Sequence, residues 1–234
     1  MFKPKLGFSL LKETICQQSV VFGCVISLFS APAIADCNSL FKVATAPVAP
    51  LVERNGELVT GIMKQSAQTL ISKHNLRVDW LILNWARALH MAEQGDVDAI
   101  FPALYSSNRS DFLDYDLPPI GHVRTSLYRH TEDSQPLPLS EASIATLRSF
   151  EYDPTELKHA TVLELADFSQ VVGMLEKRRV DYIFGVKEII EFQIKQLGAT
   201  HVTEHRAMGN RRVYLALAAN SPKHQSMRSC LGLH

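Results

Sequence analysis

The group in this sequence best suited to hold a ligand is Arg109. It closes the polar turn Ser106-Ser107-Asn108-Arg109, directly after the nearly unbroken apolar run Val97 to Ala103. Such a run reads as a strand covered on both faces. A polar loop leaving the carboxyl end of a buried strand is where open α/β sheets bind ligands. The guanidinium fork can hold both oxygens of a carboxylate, which the point charge of lysine cannot. The competing reading is a loop arginine paired with Asp111 or Asp114. Ser106 offers a hydroxyl to the same site, or simply turn chemistry, and Tyr105 beside it counts among the binding candidates. Further on, Phe150-Glu151-Tyr152 supplies a carboxylate that can answer a cation and rings that can stack on a ligand.

Other constellations carry less. His201 and His205 stand four apart, but Val202-Thr203 reads as strand and no third ligand is evident, so no metal is expected. Asp98 and Asp181 are either paired carboxylates or braces for separate halves of the fold. Trp85 with Arg87 suggests a stacking site, although Trp85 reads better as core. The sequence contains no phosphate loop, no G-x-S-x-G elbow and no H-E-x-x-H. Neither a cofactor nor catalysis is expected.

The elements that must position these residues follow from periodicity. Phe41 to Ala46 reads as a strand, broken by Pro47 and Pro50. Asn55-Gly56 marks a tight turn. Ile62, Met63, Ala67, Leu70 and Ile71 share one helical face over 61–74. Leu76 to Ile82 alternates as a strand. Asn84 can cap a helix carrying Trp85, Ala88, Leu89 and Ala92, ended by Gly95. Val123 to Arg129 looks like a crossing strand, and Ile144 to Phe150 like another. Asp167 or Ser169 starts a helix with Val171, Val172 and Leu175 inward. Val180 to Phe184 is a strand, residues 189–197 a helix stopped by Gly198, and Val213 to Ala219 a last strand. Strands alternating with helices indicate an α/β protein.

The 234-residue chain is ordinary globular material, with 46% hydrophobic and 21% charged residues. Zero formal net charge gives no field to recruit nucleic acid. Residues 1–35 read as a secretory signal peptide: Lys3, Lys5 and Lys12, an apolar core from Val20 to Phe29, then Ala33-Ile34-Ala35 before Asp36. An anchor helix is the alternative, disfavoured by the short apolar run. The exported chain would have 234 − 35 = 199 residues, with 24 − 3 = 21 basic and 24 − 1 = 23 acidic side chains, a net charge of −2. Cys16 and Cys24 would leave with the signal. Cys37 and Cys230 would then meet an oxidising compartment, which suggests a disulfide joining the ends; two free thiols are the alternative.

A short repeat links two parts of the chain. Gly-Asp-Val-Asp-Ala-Ile-Phe (95–101) and Arg-Arg-Val-Asp-Tyr-Ile-Phe (178–184) share Val-Asp-x-Ile-Phe, each behind an apolar helix. With these pieces, Arg-Asn-Gly-Glu-Leu-Val-Thr-Gly-Ile (54–62), Trp-Ala-Arg-Ala-Leu (85–89), Ser-Ser-Asn-Arg (106–109), Ile-Ala-Thr-Leu-Arg-Ser (144–149) and Leu-Glu-Lys-Arg-Arg (175–179), the chain resembles the bacterial periplasmic solute-binding proteins of family 3, the polar-amino-acid type. The resemblance spans about residues 40–222. It implies a two-lobed periplasmic binding protein type II-like α/β fold, with mixed sheets flanked by helices and a ligand cleft at the hinge. Lobe 1 would comprise 36–124, lobe 2 would comprise 125–205, and 206–234 would return to lobe 1.

The resemblance further implies a periplasmic monomer that captures a small carboxylate-bearing, amino-acid-like solute at Arg109, assisted by Ser106, and delivers it to an ABC-type permease. The same architecture also serves sensory or adaptor proteins that dock on a receptor, and a few dehydratases of cyclic precursors. Three departures bear on the ligand. No aromatic follows the first strand, Val186 stands where an acid usually meets the α-amino group, and Ser149 replaces the glycine that opens the lobe 2 ligand loop. The chain also stops soon after Cys230, where the family adds another helix.

Thiol titration of the denatured, unreduced protein from Asp36 onward should find almost no free thiol; two titratable thiols would show Cys37 and Cys230 unpaired.

Overall fold

Two long antiparallel strands hold the molecule together. The computed structural model describes residues 37–56, 58–152, 157 and 159–233; the expected signal peptide at 1–35 and its cleavage point at Asp36 lie outside them. Strand β7 (Gly121–His130) runs against β11 (Val202–Ala218) from the Val202–His130 pair to the Val213–Gly121 pair, with two register shifts. On one side, β11 continues onto β5 (Ala99–Leu104), which leads to β1 (Leu40–Thr45) and β4 (Arg77–Ile82), all three parallel. On the other side, β7 pairs with β10 (Tyr182–Val186), followed by parallel β8 (Ser143–Leu147) and β9 (Thr161–Leu165). The strand order is β4-β1-β5-β11-β7-β10-β8-β9. A mixed sheet with a parallel βαβ unit at each end is thus bridged by antiparallel strands.

The helices form where capping residues permit. Asn84 accepts the Arg87 N–H at 2.9 Å and starts α2 (Trp85–Gln94). Gly95 ends it at φ 76°, and a Cβ there would lie 2.3 Å from the Asn220 carbonyl oxygen. Asp167 caps α3 (Phe168–Glu176) through the Gln170 N–H, and α4 (Lys187–Leu197) ends at left-handed Gly198. The helix expected over 61–74 is α1 (Ile62–Lys73), behind a small hairpin of β2 (Glu53–Asn55) and β3 (Leu58–Thr60).

Two strand boundaries differ from the expectation. The strand expected over Ile144 to Phe150 stops at Leu147, because Ser149 takes φ 58° and turns the chain. The last strand starts at Val202 rather than Val213; its first half is polar and lies half-exposed along β7. Pro102, which has no N–H for the ladder, lies in β5 opposite the register shift at Tyr214/Ala216 of β11.

The repeated Val-Asp motif braces the parallel ends. Asp98 accepts the Lys42 N–H at 2.8 Å and the Ser221 hydroxyl at 2.5 Å. Asp181 accepts the Ser143 N–H at 2.8 Å and the Ser143 hydroxyl at 2.6 Å. In both, the aspartate N–H returns a bond to the carbonyl of the same residue, Lys42 or Ser143. They are matching ties between the starts of adjacent strands, not a catalytic pair.

After β11 comes a short helix, α5 (His224–Cys230), so the end of the chain is helical, though brief. Cys230 bonds to Cys37, 193 positions away in sequence, with Cα atoms 5.5 Å apart. Closing so long a loop stabilises by about 5 kcal/mol in the chain-entropy account. Asp114, in β6 (Leu113–Asp114) beside β11, accepts hydrogen bonds from His224 Nε2 at 3.0 Å and from Arg228. No helix among the described residues is long and apolar enough to cross a membrane.

Burial alone would raise the Asp114 pKa, but hydrogen bonds from the Asp116 N–H, Arg228 and His224 outweigh it and hold it below the ordinary value. Hydrogen bonds from Lys187 and Ser126 do the same for Glu204. A depressed carboxyl pKa contributes stability above the unfolded value, about 4, that is lost as pH falls through the folded one. Asp114→Asn should therefore cost about 2 kcal/mol at pH 7 and less in strong acid. Urea unfolding across that range checks this; an equal loss at all pH values would remove Asp114 from the acid response.

Candidate functional site

The carboxyl ends of the parallel strands of both halves converge on one cleft. From β5 comes the single 3-10 turn Ser107–Arg109, tightened by the Ser110 hydroxyl donating to the Ser106 carbonyl at 3.1 Å. From β8 comes the loop Arg148 to Tyr152. Trp85 and Phe168 stand at the first positions of α2 and α3, just beyond β4 and β9.

Arg109 crosses the cleft. Its side chain is only 9% exposed, and Nη2 donates to the Ser149 carbonyl at 2.7 Å while lying 3.2 Å from Glu151 Oε2. The Trp85 indole N–H donates to the same carbonyl at 3.1 Å. Residue 149 thus serves both donors from a left-handed conformation that suits glycine best. Burial pulls Arg109 below the ordinary guanidinium pKa; Glu151 and Tyr115 oppose that shift and Arg211 adds to it. Burial pushes Tyr115 up to about 12, so its phenol stays protonated and donates to the Leu104 carbonyl at 3.2 Å.

Around this crossing lie an inner cavity and an outer pocket. The inner cavity is about 50 Å³ and is lined by Trp85, Leu104, Phe150, Phe168, Val186 and others, with Arg109 and Glu151 as its charged groups. A few waters fill such a space, whereas an amino acid does not. The outer pocket is about 690 Å³ and polar, lined by Tyr105, Ser106, Asn108, Tyr152, Arg211 and Arg212 among others. Glu151 lines both. The Ser106 hydroxyl is buried with no hydrogen-bond partner among the described residues.

The five candidate residues therefore divide between the two spaces. Arg109 and Phe150 face the inner one, Tyr105 and Ser106 the outer, and Glu151 both. Arg109 pairs with neither Asp111 nor Asp114; its counter-charge is Glu151. Trp85 is a cleft residue as well as a packing one, and it meets Ser149 rather than exposed Arg87. Sequence reasoning missed Phe168 and Arg211. Phe168 had half a signal in the Asp167 cap before it; the parallel strand β9 that aims it into the cleft was not legible. His201 pairs with Glu176 at 3.0 Å and stacks on His130, while His205 packs on Tyr182. No group of three metal-ligating residues occurs among the described residues.

No protein-family model matches the chain, and no curated protein sequence is similar to it. Solved structures do match. A histidine kinase sensor domain with similarity to periplasmic binding proteins has a TM-score of 0.72 at 15% identity, over 84% of this chain and 90% of that one. An ancestral arginine-binding protein bound to arginine has a TM-score of 0.68 at 13% identity, over 84% and 92%. The GluR0 ligand-binding core from Nostoc punctiforme, in complex with L-glutamate, has a TM-score of 0.66 at 17% identity, over 82% and 91%. At these identities the likeness is one of fold: this is the two-lobed type II periplasmic binding protein architecture.

The sequence has two tryptophans, Trp80 and Trp85, so Trp80→Phe leaves Trp85 as the sole indole reporter of the cleft. In that background Arg109→Ala should shift emission to the red, because Trp85 loses the partner that holds Ser149 against it. Unchanged emission would show that the crossing does not depend on Arg109.

Proposed function

We propose that this chain is a periplasmic, non-catalytic binding protein whose two lobes, 36–124 with 206–234 and 125–205, close on a small carboxylate-bearing solute anchored by Arg109. The observation that carries the reading is a buried guanidinium at the carboxyl end of β5, facing a cavity walled by both ends of the sheet. A fixed cation in an apolar, water-poor site binds an anion far more strongly than one at the surface. The Ser106 hydroxyl, without a hydrogen-bond partner among the described residues, faces the outer pocket and can meet only a solute that extends past Glu151 into it. Val186, which stands where the resemblance would place an acid for an α-amino group, lies in the cavity wall, and this favours a solute other than a plain α-amino acid.

Delivery to an ABC-type permease is the role the resemblance implies. A sensory role is the second reading, favoured by the sensor domain among the structural neighbours. A dehydratase would require cleft carboxylates in acid–base roles; Asp98 and Asp181 are committed to bracing strands, and Glu151, which does line the cleft, is paired with Arg109.

A thermal-shift screen against amino acids, other small carboxylates and amines tests the reading. A solute at a hundred times its dissociation constant should stabilise by about 2.7 kcal/mol. Arg109→Lys should weaken that effect severely, because bidentate pairing is lost. A hit of equal strength in Arg109→Lys would remove Arg109 from the site, and silence across the carboxylates would contradict the ligand class.

A further inference from the structure

We propose that Glu151 is a built-in occupant of the Arg109 anion site. Its carboxylate stands where a solute carboxylate would bind, holds the cleft closed without ligand, and must be displaced before a solute can enter. The inference rests on the reading of Arg109 as the anion anchor and adds how that anchor is regulated.

Four observations converge. Arg109 and Glu151 are both largely buried, with side-chain exposures of 9% and 15%, and they come from opposite ends of the sheet. Such a pair ties the two halves across the cleft, and removing either partner leaves a charge without compensation in an apolar space. The tie is also replaceable. Glu151 meets the guanidinium at Nη2, the nitrogen that already donates to the Ser149 carbonyl. A free carboxylate that engages two guanidinium nitrogens in parallel makes the stronger contact.

The third observation is space. The inner cavity beside Arg109 and Glu151 is about 50 Å³, too small for a solute to sit on Arg109 while Glu151 stays in place. The fourth is a destination. Glu151 also lines the outer pocket of about 690 Å³, where Arg211, Arg212 and Asn210 form part of the wall. A carboxylate displaced from Arg109 thus has a polar, basic pocket beside it. Two discrete positions for one side chain make a switch, biased by whichever carboxylate holds Arg109. A tethered competitor acts at a high effective concentration, so it selects for solutes that bind by more than a carboxylate alone.

Chemical rescue tests this directly. Glu151→Ala deletes a fragment whose shape and charge are those of acetate. The variant should melt below wild type by roughly 6 to 20 °C, the range for breaking one half of a buried ion pair in a chain of this size. Sodium acetate, against sodium chloride at equal ionic strength, should restore the midpoint saturably. It should leave wild type unchanged, and it should fail on Glu151→Ala combined with Arg109→Met.

A wild-type melt in Glu151→Ala, or equal acetate shifts in wild type and variant, would overturn the proposal. Should Glu151→Ala not fold, isosteric Glu151→Gln must still melt below wild type; an unchanged melt there overturns it equally. Acetate rescue with no hit in the solute screen would leave the Glu151 occupancy standing and count against solute capture alone.

Discussion

A buried guanidinium must be answered, and the way Arg109 is answered organises the cleft. Removing an ion from water costs several kcal/mol, recovered only when partners are close and correctly placed. The chain supplies those partners from the far side: the Ser149 carbonyl at 2.7 Å and the Glu151 carboxylate at 3.2 Å. The requirement of one charge thus pulls together two halves of the sheet that otherwise join along β7 and β11. Trp85 reinforces the crossing by donating to the same carbonyl. Residue 149 sustains this from a left-handed conformation in which a serine is strained and a glycine is not.

The scaffold makes that crossing possible by repetition. Each parallel end has an aspartate just before a strand, taking the backbone N–H of the neighbouring strand's residue and returning a bond to its carbonyl. These braces fix the register of strands whose carboxyl ends then deliver the cleft residues. The Cys37–Cys230 disulfide and the Asp114 cluster fasten the final helix to the half that holds Arg109. The two halves otherwise meet along the long antiparallel pair, where β11 shifts register against β7 at Glu204/Arg206 and Ala207/Gly209.

Much of this was legible in the sequence because burial writes period and capping residues into it. The apolar run after Gly95, the Asn84 and Asp167 caps and the glycines at 95 and 198 located elements within a few residues. What escaped was governed by neighbours rather than by local pattern. The polar first half of β11 reads as loop, because its ladder rests on β7 and not on a buried face. β9 was invisible for a similar reason: an edge strand with exposed Thr161, Leu163 and Glu164 carries no clean alternation. In the site, Arg109 was recognisable from its place after a strand. Its pairing with Glu151, 42 positions away (151 − 109), was not. Nor did the sequence show that Tyr105 and Ser106 would face one space while Phe150 faces another. Side-chain direction at a turn depends on the turn's exact dihedrals, which composition does not encode.

The central claim is that the ligand-free cleft is held shut by the contact of Arg109 with Ser149 and Glu151. The most direct measurement is a spin-label distance across the cleft, with labels at exposed Ser72 on α1 and exposed Gln196 on α4. The ligand-free protein should give one narrow, short distance distribution, which broadens and lengthens in Arg109→Ala. A broad, long distribution already present in the ligand-free wild type, unchanged by that substitution, would contradict the account.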